Sequence, residues 1–84
     1  MAEKNHDIVE LVRLIVTTLV DEPEEVQLAS RQDGSALIIE VKVADGDAGK
    51  IIGRQGRIIK SLRTLARAAS AYQGAGHVEV EVLD

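Results

Sequence analysis

The 84-residue chain contains no cysteine. Disulfides and thiolate metal sites are excluded, and a small secreted scaffold loses its usual staples. Aromatic residues are reduced to Tyr72, with no Phe and no Trp. Sheets and barrels that hold nucleobases by stacking need several such rings, so that mode of binding is excluded too. Proline occurs once, at Pro23. The longest apolar stretch, Leu14 to Val20, is interrupted by Thr17 and Thr18 and is far too short to span a bilayer. The N-terminus, Met1-Ala2-Glu3-Lys4-Asn5-His6-Asp7, is too polar for a secretory signal. A protein of the cytoplasm with no membrane contact is the expectation.

Apolar residues make up 45% of the chain, mostly Val, Ile, Leu and Ala, which suits a folded domain and not a disordered one. The length predicts one domain, residues 1–84. The net charge is -4, but it is unevenly placed. Ala48 to Val78 carries Lys50, Arg54, Arg57, Lys60, Arg63 and Arg67 and no carboxylate; the other residues hold four cations against fourteen carboxylates. A basic block on an acidic body reads either as a localised anion-binding face or as a solvated helix face balanced by its neighbours. Charge alone does not choose between them.

Hydrophobic spacing gives the elements. Asp7 with Glu10 fits a capping box, and Ile8, Leu11, Val12, Ile15 and Leu19 recur at helical intervals. Pro23 ends that pattern, predicting a helix over about 7–20. Val26, Leu28 and Ser30 alternate with Gln27, Ala29 and Arg31, Asp33-Gly34 signals a hairpin, and Leu37, Ile39, Val41 and Val43 alternate again. Asp45 or Asp47 is placed to cap a short helix through Ala48–Ile52. After Gly53 and Gly56 a second helix runs from Arg57 to about Tyr72. Its expected apolar stripe is Ile58, Leu62, Leu65 and Ala69, with Ile59 and Ala66 beside it and Lys60, Arg63 and Arg67 opposite. Gly74-Ala75-Gly76 ends it, and Val78, Val80 and Val82 predict a last strand with Glu79 and Glu81 on its exposed face. The order α-β-β-α-α-β predicts an α+β fold, a three-stranded sheet covered on one face by three helices.

Gly49-Lys50-Ile51-Ile52-Gly53-Arg54-Gln55-Gly56-Arg57-Ile58-Ile59 is the segment that carries chemistry. Glycine permits sharp turns and close approach of backbone to a phosphate. The helix that starts just after it directs its free N–H groups and positive dipole end at the same place. Lys50, Arg54, Arg57 and Lys60 add full charges. Together these features can hold a sugar–phosphate backbone.

Those residues, in this element order, resemble the KH family, in which a GXXG loop between two helices grips about four nucleotides of single-stranded nucleic acid. The resemblance implies the prokaryotic type II arrangement, because the extra helix and strand (Asp7 to Arg31) precede the shared core. A stand-alone domain of this size is similar to the bacterial KhpA (YlqC) family of small RNA-binding proteins, associated with a second KH protein of the KhpB (Jag/EloR) type. It implies single-stranded RNA as partner, RNA chaperone or regulator as role, and Gly53, Arg54, Gln55 and Gly56 as the clamp. No aromatic ring is needed for such a grip.

Other chemistries lack their residues. A P-loop needs Gly-Lys-Ser/Thr, which Gly49-Lys50-Ile51 does not supply, and Gly74-Ala75-Gly76 precedes a strand where a dinucleotide site would follow one. His6 and His77 are the only histidines, and no nucleophile, base and orienting group converge with them, so no catalytic residue, metal or cofactor is expected. A protein-interaction adaptor acting through a partner KH protein is the alternative function. Ser61, Thr64, Ala68 and Ala71 form a small-residue strip with Leu65 at its border, a candidate surface for a homodimer or a heterodimer.

Overall fold

A computed structural model describes residues 2–74 and 76–83, with side chains from His6 onward. The first helix, α1 (Ala2–Leu19), turns one row of its apolar residues inward. Ile8, Val12, Val16 and Val20 are buried, each four residues on from the last. The helix starts five residues before the expected cap, so Asp7 lies inside it. Leu11 and Ile15 flank the row, while Leu14 and Leu19 face outward. Glu22 is held out of the helical region ahead of proline (φ -122°, ψ 74°), and a single 3₁₀ turn follows at Pro23–Glu25.

Strands β1 (Gln27–Asp33) and β2 (Ala36–Lys42) form an antiparallel hairpin in which Asp33 pairs with Ala36. The turn is therefore Gly34-Ser35, one residue later than the Asp33-Gly34 signal suggests. Gly34 has φ 63°, the positive angle that a type II′ turn requires at its first central residue. Next come α2 (Ala48–Ile52), α3 (Arg57–Tyr72) and β3 (His77–Val82), the last lying parallel to β2. The sheet order is β1-β2-β3, so the hydrophobic β2 is central. Ala75 lies outside the described residues.

One core joins these elements: Ile8, Val12 and Val16 from α1, Leu37, Ile39 and Val41 from β2, Ile51 from α2, Ile59, Leu62 and Ala66 from α3, and Val78 and Val80 from β3. All three helices thus cover one face of the sheet, as the element order predicts. Three further details differ from the sequence reading. Helix α3 is turned by about one residue, burying Ile59, Leu62, Ala66 and Ser70, while Leu65 is 52% exposed. Its neighbours explain the turn: Ile58 packs beneath Gly53, and the Ser70 hydroxyl donates to the carbonyl of Gly76 ahead of β3. Ile38, on the face expected to be polar, is only 6% exposed. It sits between Arg31 and Glu79 on the flanking strands, and the Arg31–Glu40 ion pair lies alongside. Finally, Asp47 does not cap α2 with its side chain.

Candidate nucleic-acid interface

Gly53 turns the chain out of α2 with φ 76° and ψ 173°, a region open only to glycine. A Cβ there would also come within 2.6 Å of the Ile58 side chain. Conformation and space thus independently require glycine. The chain then makes a 3₁₀ turn over Arg54–Gly56, closed by the Gly56 N–H on the Gly53 carbonyl at 3.1 Å. Gln55 (φ 58°) and Gly56 (φ 73°) are both left-handed. For Gln55 this costs about 1 kcal/mol. Its Oε1 accepts from the Arg57 guanidinium at 3.2 Å, a bond within the loop itself.

Arg54, Gln55, Arg57 and Lys60 are exposed. Among the described residues, no carboxylate pairs with Arg54, Arg57 or Lys60. Lys60 folds back along the loop, its Cε 3.8 Å from where a Gly56 Cβ would stand. No side chain caps the N-terminus of α3, so the loop sits at the positive end of a sixteen-residue helix whose first-turn donors lack a side-chain acceptor. Ile52, the last residue of α2, is 38% exposed beside this charged turn and offers an apolar surface. The sequence reading did not single it out. Its signal was the Ile51-Ile52 pair on a helix too short to bury both.

The other cations of the basic block are engaged. Lys50 lies 3.2 Å from Asp21 and 3.3 Å from Asp47, and these partners, Asp21 foremost, raise its pKa. Arg63 donates from Nε to the Val80 carbonyl at 3.0 Å. Arg67 donates to the Val78 carbonyl and pairs with Glu79 at 3.2 Å. The two arginines occupy outward-facing carbonyls of an edge strand, which blunts that edge against pairing with another chain. Glu79 is held below its ordinary pKa chiefly by its bond to His77 and further by Arg67, against partial burial. His6 is exposed on α1, far along the chain from this cluster.

Of the strip on α3, Ser61, Thr64, Leu65 and Ala68 are all exposed. The Ser61 and Thr64 hydroxyls bond back to the carbonyls of Arg57 and Lys60, so their polar groups are satisfied within the helix. No helix among the described residues is long and apolar enough to cross a membrane.

A family model described as KhpA/KhpB, KH domain matches residues 9–82. The RNA-binding protein KhpA of Borreliella burgdorferi is 42% identical over 84 residues, the whole of both chains. Its namesake in Caldanaerobacter subterraneus subsp. tengcongensis is 45% identical over 74 residues, covering 88% of this chain and 97% of the relative. That of Chlamydia trachomatis is 43% identical over 75 residues, covering 89% and 95%. The GXXG turn, the α-β-β-α-α-β order and these matches agree: the chain belongs to the KhpA/KhpB KH-domain family.

Proposed function

We propose that this chain binds single-stranded RNA without acting on it chemically, and that the turn Gly53–Gly56 is the clamp. One observation carries the reading: around the turn, Arg54, Arg57 and Lys60 have no carboxylate partner among the described residues, beside the uncapped start of α3. The names of the KhpA relatives, all RNA-binding proteins, support it. Gly53 and Gly56 shape the backbone for close approach to phosphates, Arg54, Arg57 and Lys60 supply charge, and Gln55 supplies hydrogen bonds. Lys50 contributes less, because two carboxylates already neutralise it. Ile52 lines the path of the bases. No catalytic group is assigned, and the chain works as a single KH domain in the cytoplasm, as an RNA chaperone or regulator.

Arg54→Asp with Gln55→Asp tests the clamp. Both side chains are exposed, so circular dichroism should show an unchanged fold, while gel shifts with single-stranded RNA should show binding lost. Wild-type affinity in the folded double variant overturns the reading.

Pairing is part of the same proposal. One clamp spanning about four nucleotides gives little affinity, and two joined clamps gain by effective concentration. Leu65, 52% exposed among Ser61, Thr64 and Ala68, favours a two-fold contact between α3 helices of two copies, or the same contact with a KhpB-type protein. Ala68→Glu should convert a dimer to monomer in sedimentation. A wild type that stays monomeric at high micromolar concentration removes the homodimer.

A further inference from the structure

Asp47 is the most deeply buried acid in the described structure, with 3% of its surface exposed. It lies six residues before Gly53, and nothing in the clamp as described above uses it. Burial by itself would raise its pKa, yet bonds from the backbone of Glu22 and Asp21 and from Lys50 outweigh that and hold it low. The carboxylate is therefore an anion enclosed by donors. Oδ2 accepts from the Glu22 N–H at 3.1 Å, and Oδ1 accepts from the Asp21 N–H at 3.3 Å. Lys50 Nζ reaches Asp47 at 3.3 Å, Asp21 at 3.2 Å and the Gly46 carbonyl at 3.4 Å. These contacts join the chain after α1 to the N-terminal end of α2.

Helix α2 needs that support. It has five residues, too few to be stable alone. Its far end is fixed by the fully buried Ile51 and by the Gly53 N–H on the Gly49 carbonyl at 2.8 Å. Its near end has no side-chain cap and starts after Gly46, another residue with positive φ. The residues that bind Asp47, Asp21 and Glu22, follow directly on the long helix α1 that spans the core.

We infer that Asp47 is a positioning residue for the RNA clamp: by fastening the start of α2 to the end of α1, with Lys50 as the outer half of the fastening, it holds Gly53–Gly56 in the conformation that receives phosphate. This rests on the clamp reading above. Asparagine at position 47 can accept from one of the two N–H groups but turns an NH₂ toward the other, and it loses the attraction to Lys50. α2 then samples arrangements in which the turn is not formed. If the competent fraction falls to about one fifth, apparent affinity falls about fivefold.

The test compares folded proteins. Wild type, Asp47→Asn, the Arg54→Asp/Gln55→Asp variant and Val16→Ala, a core variant remote from the loop, are titrated with a fluorescein-labelled single-stranded oligoribonucleotide of random sequence, below all their melting temperatures. Asp47→Asn should bind about fivefold more weakly with the wild-type salt slope, since the phosphate contacts are the same in number. Val16→Ala should match wild type although its melting temperature drops. In hydrogen exchange without RNA, Asp47→Asn should speed the Lys50 and Gly53 amides relative to those of β2. Should Asp47→Asn fail to fold, Asp47→Glu carries the same comparisons, its carboxylate displaced by one methylene. Wild-type affinity and α2 exchange in the Asp47 variant overturn the positioning role and leave the clamp intact. Equal weakening in Val16→Ala overturns it as well, by showing a mere stability effect. Undiminished binding by the loop double variant overturns the clamp reading itself.

Discussion

The basic block of this chain divides into two regions that composition cannot tell apart. Arg54, Arg57 and Lys60 surround the GXXG turn with no carboxylate partner among the described residues, whereas Lys50, Arg63 and Arg67 are spent on Asp21, Asp47, Glu79 and the β3 carbonyls. The six positive charges of the block thus leave three without a carboxylate partner among the described residues. The lesson concerns geometry. Arg63 and Arg67 are on the side of α3 that meets the edge strand, within reach of Val80 and Val78, while the cations around the turn meet no carboxylate among the described residues. The charges around the turn stay open to solvent, and those of Arg63 and Arg67 serve packing and edge protection.

The largest effect expected from breaking this contrast comes from the backbone of the turn. Gly53→Ala puts a methyl group 2.6 Å from the Ile58 side chain at φ 76°. A loss of about 2–3 kcal/mol is expected in chemical denaturation, together with loss of RNA binding. Unchanged stability would mean that the turn readily adopts another shape.

Replacing Arg54, Arg57 and Lys60 together with Gln sharpens the comparison. The slope of log affinity against log salt for single-stranded RNA should become shallower by about 2, at about 0.7 per cation. Arg63→Gln with Arg67→Gln should leave that slope alone and cost about 1 kcal/mol of stability instead. Equal slope changes in both variants would erase the distinction between the two regions.

Acid should unfasten the packed region before it affects the turn. Asp47 and Glu79 both titrate below their ordinary range. Their contribution is full above the unfolded-state pKa values and is lost as pH falls through the lower folded values. Stability should decline below roughly pH 4, and Glu79→Gln should flatten that decline. A profile identical to wild type would show that the His77–Glu79–Arg67 contacts carry none of it.

The smallest effect is at Gln55. Its left-handed backbone costs about 1 kcal/mol, so Gln55→Gly should stabilise by about 0.5 kcal/mol after the greater freedom of unfolded glycine is counted. Destabilisation would mean that the Gln55–Arg57 bond outweighs the backbone cost.

Elements and their order were legible in the sequence because each has a periodicity of its own: four-residue spacing in α1, alternation in β2 and β3, a proline at the first boundary and glycines at the turn. The GXXG turn was legible for the same local reason, since Gly53 and Gly56 bracket Arg54 and Gln55. The rotation of α3 was not, because Ile58, Ile59, Leu62 and Leu65 allow two neighbouring stripes. Packing of Ile58 under Gly53 and the bond from Ser70 to Gly76, five and six residues away, chose between them once the flanking turns had folded. Asp47 read as a cap from its position before Ala48. Its actual partners, Asp21 and Glu22, are about 25 residues away and are brought near only by packing of α1 on the sheet.

By itself, the sequence determined the α-β-β-α-α-β order, the GXXG turn and the clustering of positive charge, all set by residues within a few positions of one another. Tertiary structure alone decided which cations stay available, which face of α3 is buried, and that Asp47 joins α1 to α2. Those outcomes depend on distances between elements, and no local pattern encodes which donor will lie 3 Å from which acceptor once the core has closed.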